Sequence, residues 1–390
     1  MSDSQRDQSR AAAMRIDRCL RDGSTTLDLS GLTLTALPRS LESLTALTRL
    51  DLSYNRLTSV PDWLGNLTSL TTLNLSENRL TALPDSLGNL ASLTELNLSE
   101  NALTTLPEWL ENLTDLTKLN LSGTNLGDAP ERLGSLASLT ELDLSWSGNA
   151  LQYTVVPESL GNLTSLTTLR LSNAFLTLPE SLGNLTALTT LDLSKSDLCS
   201  SLLLPESLGN LTSLTELDLS DNALDVAPEW LGNLTSLTTL DLSENRLTTL
   251  PDSLGNLTAL TTLRLWKNEL TALPESLGNL TALTMLSMGS NRLTTLPEWL
   301  GNLTALTDLS AWHNELTALP ESLGNLTALT MLSLSGNRLR VLPESLGNLT
   351  NLVTLDLDGN QVTTIPEALG RIFKTKPGTL LLGCPGLRDV

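Results

Sequence analysis

Leucines recur along this chain in the pattern L-x-x-L-x-L-x-x-N-x-L. The second leucine of the L-x-L step falls at Leu29, Leu52, Leu75, Leu98 and Leu121, in steps of 23 residues. The series continues through Leu144, Leu171, Leu193, Leu219, Leu242 and Leu265. Met288 and Ala311 then take the slot, and Leu334 and Leu357 complete 15 repeats. Within L-x-L the period is two, so the leucines face one way and the intervening residues the other, which predicts one short strand per repeat. Stacked repeats predict a parallel sheet with strands about 4.8 Å apart. The asparagine after the strand, as in Asn55, Asn78 and Asn101, is expected to turn inward and satisfy backbone groups that no ladder reaches. The P-E-S-L-G-N-L half then crosses the other side of the repeat as a short helix. Proline suits the first helical position, glutamate the positive N-terminal end, and glycine the exit turn.

The ends are expected to cap this array. Ala12, Ala13, Ile16, Cys19 and Leu20 lie at helical spacing before Gly23, so residues 1–23 are read as a capping helix over the first strand. Residues 24–370 are the solenoid, and residues 371–390 a degenerate last repeat. There Leu380, Leu382 and Leu387 take the leucine slots and Pro385 the asparagine slot. No linker interrupts the array, so one continuous solenoid without a hinge is expected.

Composition narrows the function. About a quarter of the residues are leucine, against a usual usage nearer a tenth. That aliphatic content excludes disorder, and no run is long enough to span a membrane. With 43 acidic and 23 basic side chains the net charge is −20 and the pI about 4.4. Nucleic acid and anionic lipid surfaces repel such a chain. The polar start, Met-Ser-Asp-Ser-Gln-Arg-Asp, carries no secretory signal, and Cys19, Cys199 and Cys384 form no disulfide framework. A cytoplasmic location is expected. The single histidine, His313, and the lack of a P-loop pattern leave no metal, cofactor or catalytic constellation to expect. Asn-Leu-Thr recurs eleven times and is read as repeat consensus, not as glycosylation sites.

The repeat identifies a leucine-rich repeat horseshoe, an α/β solenoid with a parallel concave sheet and about 15–16 repeats. P-E-S-L-G-N-L followed by L-x-L-S-x-N-x-L at 23 residues resembles the Ras-group type. That type includes plant intracellular Ras-group-related proteins, Shoc-2-type scaffolds and the repeat segments of Roco proteins. The entry R-I-D-R-C-L-R-D-G before T-T-L-D-L-S-G-L resembles bacterial Roco-type repeats. The resemblance implies a non-enzymatic scaffold that binds a protein on its concave sheet, basic or small-GTPase-like, and acts as a monomer. It implies no GTP chemistry, since the Roco GTPase domain has no counterpart here.

Function in a solenoid resides where repeats depart from their own consensus. In repeats 11–14 the outward and post-strand positions carry Arg264, Trp266, Lys267, Met285, Asp308, Trp312, His313 and Met331. Aromatic residues, methionine and arginine are enriched at interface centres, so these form the candidate partner-binding site. W-K-N-E-L-T-A-L-P-E-S and W-H-N-E-L-T-A-L-P-E-S repeat at 46 residues, which also fits one duplication. A secondary candidate lies in repeats 5–8, where steps of 27, 22 and 26 residues replace 23 and Thr124, Ala174 and Ser196 replace the asparagine. Its residues are Trp146, Arg170, Phe175 and Lys195. The column Asp28, Asp51, Asn74, Asn97, Asn120, Asp143, Arg170, Asp192, Asp218, Asp241, Arg264 sets Asp28 beside Asp51 and Asp218 beside Asp241, like charges that a basic partner would relieve. Arg246, Glu269, Arg292, Glu315 and Arg338 read as a structural ion ladder. Trp63, Trp109, Trp230 and Trp299, all in P-[DE]-W-L, read as padding. Two other functions are weighed: a bacterial effector or ligase-type recognition arm, and a surface-templating, ice-binding-like protein suggested by threonine columns.

Overall fold

The computed structural model describes residues 3–124, 126, 131–145, 153–173, 175–196, 204–375, 378 and 380–382. The chain divides into two compact units, Met1–Asp192 and Leu193–Val390. In the first unit helix α1 (Asp3–Asp22) precedes β1 (Thr26–Asp28), β2 (Arg49–Asp51), β3 (Thr72–Asn74), β4 (Glu95–Asn97), β5 (Lys118–Asn120) and β6 (Glu141–Asp143). Then follow β7 (Tyr153–Val155), β8 (Thr168–Arg170), β9 (Phe175–Thr177) and β10 (Thr190–Asp192). Eight of them lie side by side in the order β1-β2-β3-β4-β5-β6-β8-β10. The second unit sets β11 (Glu216–Asp218), β12 (Thr239–Asp241), β13 (Thr262–Arg264), β14 (Met285–Ser287), β15 (Asp308–Ser310), β16 (Met331–Ser333) and β17 (Thr354–Asp356) in chain order. Helix α2 (Glu367–Thr375) and β18 (Leu380–Leu382) complete it. The strands pair in parallel and in repeat register, with Leu263 opposite Leu240 and Leu286. The paired leucines line one buried face: Leu263 and Leu265 are buried as completely as Leu27 and Leu29.

Between strands the P-[DE]-[SW]-L-G-N segment forms a five-residue 3-10 helix, as in Asp252–Asn256. Its proline is not the first helical residue. Pro251 precedes the helix in extended conformation (φ −71°, ψ 146°), and its carbonyl accepts from Leu254 N–H at 3.2 Å. The glycine also differs from its expected role. Gly255 needs no left-handed turn; a Cβ there would lie 2.5 Å from the Ser276 carbonyl oxygen of the next repeat. The residue is small because neighbouring repeats touch at that point. The Trp109, Trp230 and Trp299 side chains press against the equivalent Gly88, Gly209 and Gly278. Trp109 and Trp230 are buried, Trp63 and Trp299 half-buried.

Two polar columns join neighbouring repeats, and a third braces each turn from within. Each consensus asparagine bridges to its neighbour. The Asn268 amide donates to the Leu242 carbonyl at 2.9 Å and to Leu265 of its own turn at 3.1 Å, and its oxygen accepts from Leu247 N–H at 3.0 Å. In most repeats the threonine just before the strand donates its hydroxyl to the carbonyl of the threonine one repeat earlier, as Thr261 does to Thr238 at 2.9 Å. These hydroxyls are engaged within the sheet, which removes that threonine column from a templating surface. Thr261→Val keeps the β-branched shape and is expected to cost about 1 kcal/mol, read as a lower urea midpoint with unchanged circular dichroism. The third column is the strand aspartates and asparagines, whose oxygens accept a backbone N–H two residues on: Asp51 from Ser53 at 2.8 Å, Asp218 from Ser220 at 2.8 Å. Each of these side chains therefore has a backbone donor within its own turn.

At the N-terminus Ala12, Ile16 and Cys19 of α1 are buried, whereas Leu20 is 46 % exposed, off the buried face. Arg15 of α1 donates to the Asp28 carbonyl at 2.9 Å and lies 3.8 Å from its carboxylate. Hydrogen bonds from Ser30, and then the Arg15 charge, hold the Asp28 carboxyl below its ordinary range. Because the folded-state value is the lower one, the resulting stability is complete above the unfolded-state pKa. It is lost as pH falls through the folded-state value. Acidification is expected to lower the amide protection factors in β1, taken relative to the intrinsic rate at each pH, and Asp28→Asn to flatten that pH dependence.

At the C-terminus β18 pairs with β17 so that Leu381, not Leu380 or Leu382, stands opposite the buried Leu355. Leu380 and Leu382 are 49 % and 36 % exposed. The expected register is therefore off by one residue, which exchanges the faces. Pro385, Leu387 and Cys384 lie outside the described residues, as do Cys199 and Ala174. The irregular repeats add a feature the leucine pattern does not announce. Strands β7 and β9 form a separate parallel pair, Tyr153 opposite Phe175.

Candidate functional site

On each strand the residues flanking the buried leucine point to the open face of the sheet. Equivalent residues of successive repeats form columns along it. In the second unit the first column reads Thr262, Met285, Asp308, Met331, the second Arg264, Ser287, Ser310, Ser333, and a third, just past the strand, Trp266, Gly289, Trp312, Ser335. Repeats 11–14 thus bring together the residues singled out in the sequence. Met331 is 45 % exposed, Lys267 and His313 are exposed, and Arg264, Trp266, Met285, Asp308 and Trp312 are half-buried. The two tryptophans are less exposed than expected because each has packing of its own.

That packing also explains the 46-residue period. An indole is wider than one strand spacing of about 4.8 Å. The Trp312 ring spreads over Gly289 of the preceding repeat, where a Cβ would lie 2.3 Å from it. Large and small residues must therefore alternate in this column. On its other side Trp312 meets His313 edge to face, with ring centroids 5.4 Å apart. Lys267 and His313 both occupy left-handed backbone, at φ 54° and 48°, a conformation shared by Glu244 and Ser290 in the same column.

The charges divide into satisfied and unsatisfied groups. Lys267 lies 2.8 Å from Glu244 and 5.2 Å from the Trp266 ring centre, so that ring already carries a cation of its own chain. Arg264 reaches Asp241 at 3.7 Å, Arg292 reaches Glu269 at 3.0 Å, and Arg338 reaches Glu315 at 2.8 Å. Asp308 has no cation beside it among the described residues. Its carboxylate accepts only from Thr307 Oγ1, at 2.6 Å, and that single hydroxyl proton also faces the Thr284 carbonyl at 3.1 Å. Acidic residues also line the other side of the repeats. Among the described residues every 3-10 segment after the first begins with an exposed Asp or Glu, from Asp62 to Glu344, on the side away from the open face.

The residues of the secondary candidate fall on separate elements. Arg170 is exposed on β8 of the first unit, and Phe175 lies on β9, outside the main sheet. Lys195 is exposed in the second unit, and Trp146 lies outside the described residues. Near Arg170 the open face is a shallow depression lined by Glu95, Lys118, Glu141 and Asp143. Lys118 binds Glu141 at 2.7 Å, which raises the lysine pKa. Sequence reasoning missed the floor of the main site. Ser287, Gly289, Ser310 and Ser333 replace the Asp or Asn and the Ser of other repeats, and this change was readable as a second departure beside the large residues.

No group of three or more His, Cys, Asp or Glu side chains among the described residues is arranged to hold a metal. None of their helices is long and apolar enough to cross a membrane.

Comparison with known proteins agrees with this geometry. A leucine-rich repeat region matches residues 226–327, leucine-rich repeats match 25–80, 68–126 and 213–234, and a two-copy repeat matches 327–370. No curated protein matches the chain in sequence. Among solved structures, an LRR protein of Leptospira interrogans is 31 % identical over 94 % of this chain and 98 % of its own, with a TM-score of 0.85. The LRR ectodomain of the Arabidopsis thaliana membrane receptor kinase GASSHO1/SCHENGEN3, solved in complex with CASPARIAN STRIP INTEGRITY FACTOR 2, is 34 % identical. There the match covers 89 % of this chain and 42 % of the receptor, with a TM-score of 0.72. An internalin of Listeria monocytogenes is 25 % identical over 95 % of this chain and 94 % of its own, with a TM-score of 0.61. With repeat matches in both units and near full-length likeness to a protein of the same design, the chain belongs to the leucine-rich repeat family.

Proposed function

We propose that this chain is a non-enzymatic scaffold that binds a protein or peptide partner on the open face of its sheet, centred on repeats 11–14. The observation that carries this reading is the cluster of Trp266, Trp312, Met285 and Met331 around a floor of serines and Gly289. Neither methionine is needed to fill the leucine core, and large apolar side chains on an open face mark interaction sites. Family members supply the same function class: the plant receptor ectodomain was solved with a bound factor, and another matching structure is a plant peptide hormone receptor in complex with RGF2. The resemblance to the Ras-group type adds a small-GTPase-like protein as a candidate partner. The expected cytoplasmic location is kept in this reading, with Cys19 a buried free thiol.

A photo-crosslinking residue at Ser310, on the floor, is expected to capture a discrete partner from native extract, while one at Asn302, on the opposite side, is not. Equal capture at both positions would count against the open face. A net charge of −20 favours a basic partner, and such attraction is screened beyond about 8 Å at physiological ionic strength. Affinity is therefore expected to fall as salt rises. An affinity that stays flat would remove the basic-partner reading.

A further inference from the structure

We propose that repeats 12–14 read a cationic side chain, an arginine or lysine, in an extended peptide segment, with Asp308 as its counter-charge. This rests on the open-face reading above and specifies the partner's chemistry.

The inference starts from a break in charge pairing. In the first unit the same column runs Glu95, Lys118, Glu141, acid beside base beside acid, and the lysine contacts Glu141 at 2.7 Å. In the second unit the register sets Asp308 between Met285 and Met331. Here the acid stands where the base was, and the flanking residues are thioethers. The basic side chains of the neighbouring repeats, Arg264, Lys267, Arg292 and Arg338, are each held by an acid of the preceding repeat. None turns to Asp308. A half-buried carboxylate beside apolar groups, with a shared hydroxyl as its one donor, favours a cation brought from outside.

The surroundings suit a long aliphatic cation. The methionines flank Asp308 at one strand spacing, about 4.8 Å on each side. They offer adaptable apolar walls to the methylene stem of arginine or lysine, while its head meets the carboxylate. Ser310 beyond Asp308 leaves the floor low. Trp312 then stands two residues farther along the same strand direction. A segment laid along the strand direction would place the cation at Asp308 and an apolar or aromatic side chain against the Trp312 indole. Trp266 is the poorer anchor, since Lys267 already covers its face.

The test uses the full-length chain and a library of random 12-residue peptides displayed on phage. It is panned against wild type, Asp308→Asn, Asp308→Lys and Trp312→Ala, with folding checked by circular dichroism. Wild type is expected to enrich peptides pairing Arg or Lys with an apolar residue. Asp308→Asn is expected to weaken those peptides at least about tenfold, because a neutral amide cannot form the charge-assisted hydrogen bond. Asp308→Lys is expected to select acidic residues instead. Enrichment of peptides without a basic residue, bound equally by Asp308→Asn but weakened by Trp312→Ala, would overturn the cation assignment and leave the open-face reading standing. Peptides that bind all four proteins alike, or no enrichment at all, would overturn both.

Discussion

Replacing Asn245 by alanine is expected to destabilise the second unit by about 3 kcal/mol or more. The side chain is 7 % exposed and works as a joint between repeats. Its amide donates to the carbonyls of Leu219 (2.9 Å), Leu242 (3.1 Å) and Ser243 (3.1 Å), two protons shared among three acceptors. Its oxygen accepts from the N–H groups of Leu224 (2.9 Å) and Asn222 (3.2 Å). Alanine removes all of these at once, and several of the orphaned groups are buried, where each unmade hydrogen bond costs about 1–3 kcal/mol. Threonine at this position is a graded control. In repeat 5 Thr124 replaces the asparagine and, among the described residues, its hydroxyl reaches its own turn, at Leu121 O (2.6 Å). Asn245→Thr is therefore expected to recover part of the loss. Urea unfolding gives the comparison, and an alanine variant within about 0.5 kcal/mol of wild type would show that the column is not what joins the repeats.

Trp312→Ala is expected to weaken partner binding by about 2 kcal/mol or more, roughly thirtyfold, as for a central aromatic anchor. The fold should survive, because the indole lies over Gly289 on the open face and not among the leucines. Its half-buried packing does carry some stability, so a modest fall in melting temperature is expected. Gly289→Ala supplies an independent route to the same end. The added methyl would sit 2.3 Å from the indole and push the ring out of place while keeping every side chain of the site. If displaced and deleted tryptophans both leave affinity unchanged, the ring is not an anchor. Trp266→Ala is expected to cost less, since Lys267 shields that ring.

The leucine, asparagine and proline positions were legible because a repeated contact imposes a repeated residue: Leu263, Asn268 and Pro251 do the same work in repeat after repeat. The aspartate column was legible as a pattern but not as a cause. Its carboxylates accept N–H groups two residues on, a local turn that a charge count across neighbouring strands does not reveal. The register of β18 escaped because Leu380, Leu381 and Leu382 are alike, and only pairing with Leu355 selects the middle one. At the site, the large residues stood out in the sequence. The glycine that receives the Trp312 ring and the serines that lower the floor did not, because small residues announce a site only through what lies over them. Pairing partners were equally hidden. That Arg264 and Lys267 are held by Asp241 and Glu244, and Asp308 by no cation among the described residues, is a property of neighbouring repeats brought together.

The central claim, that the partner sits on the open face of repeats 11–14, is tested most directly by hydrogen–deuterium exchange of the full chain, free and saturated with the partner captured at Ser310. The account predicts slowed exchange in residues 264–267, 285–290, 308–313 and 331–336, with the 3-10 segments on the opposite side unchanged. Protection confined to those 3-10 segments, or to strands β5–β8 of the first unit with repeats 11–14 unaltered, would contradict it.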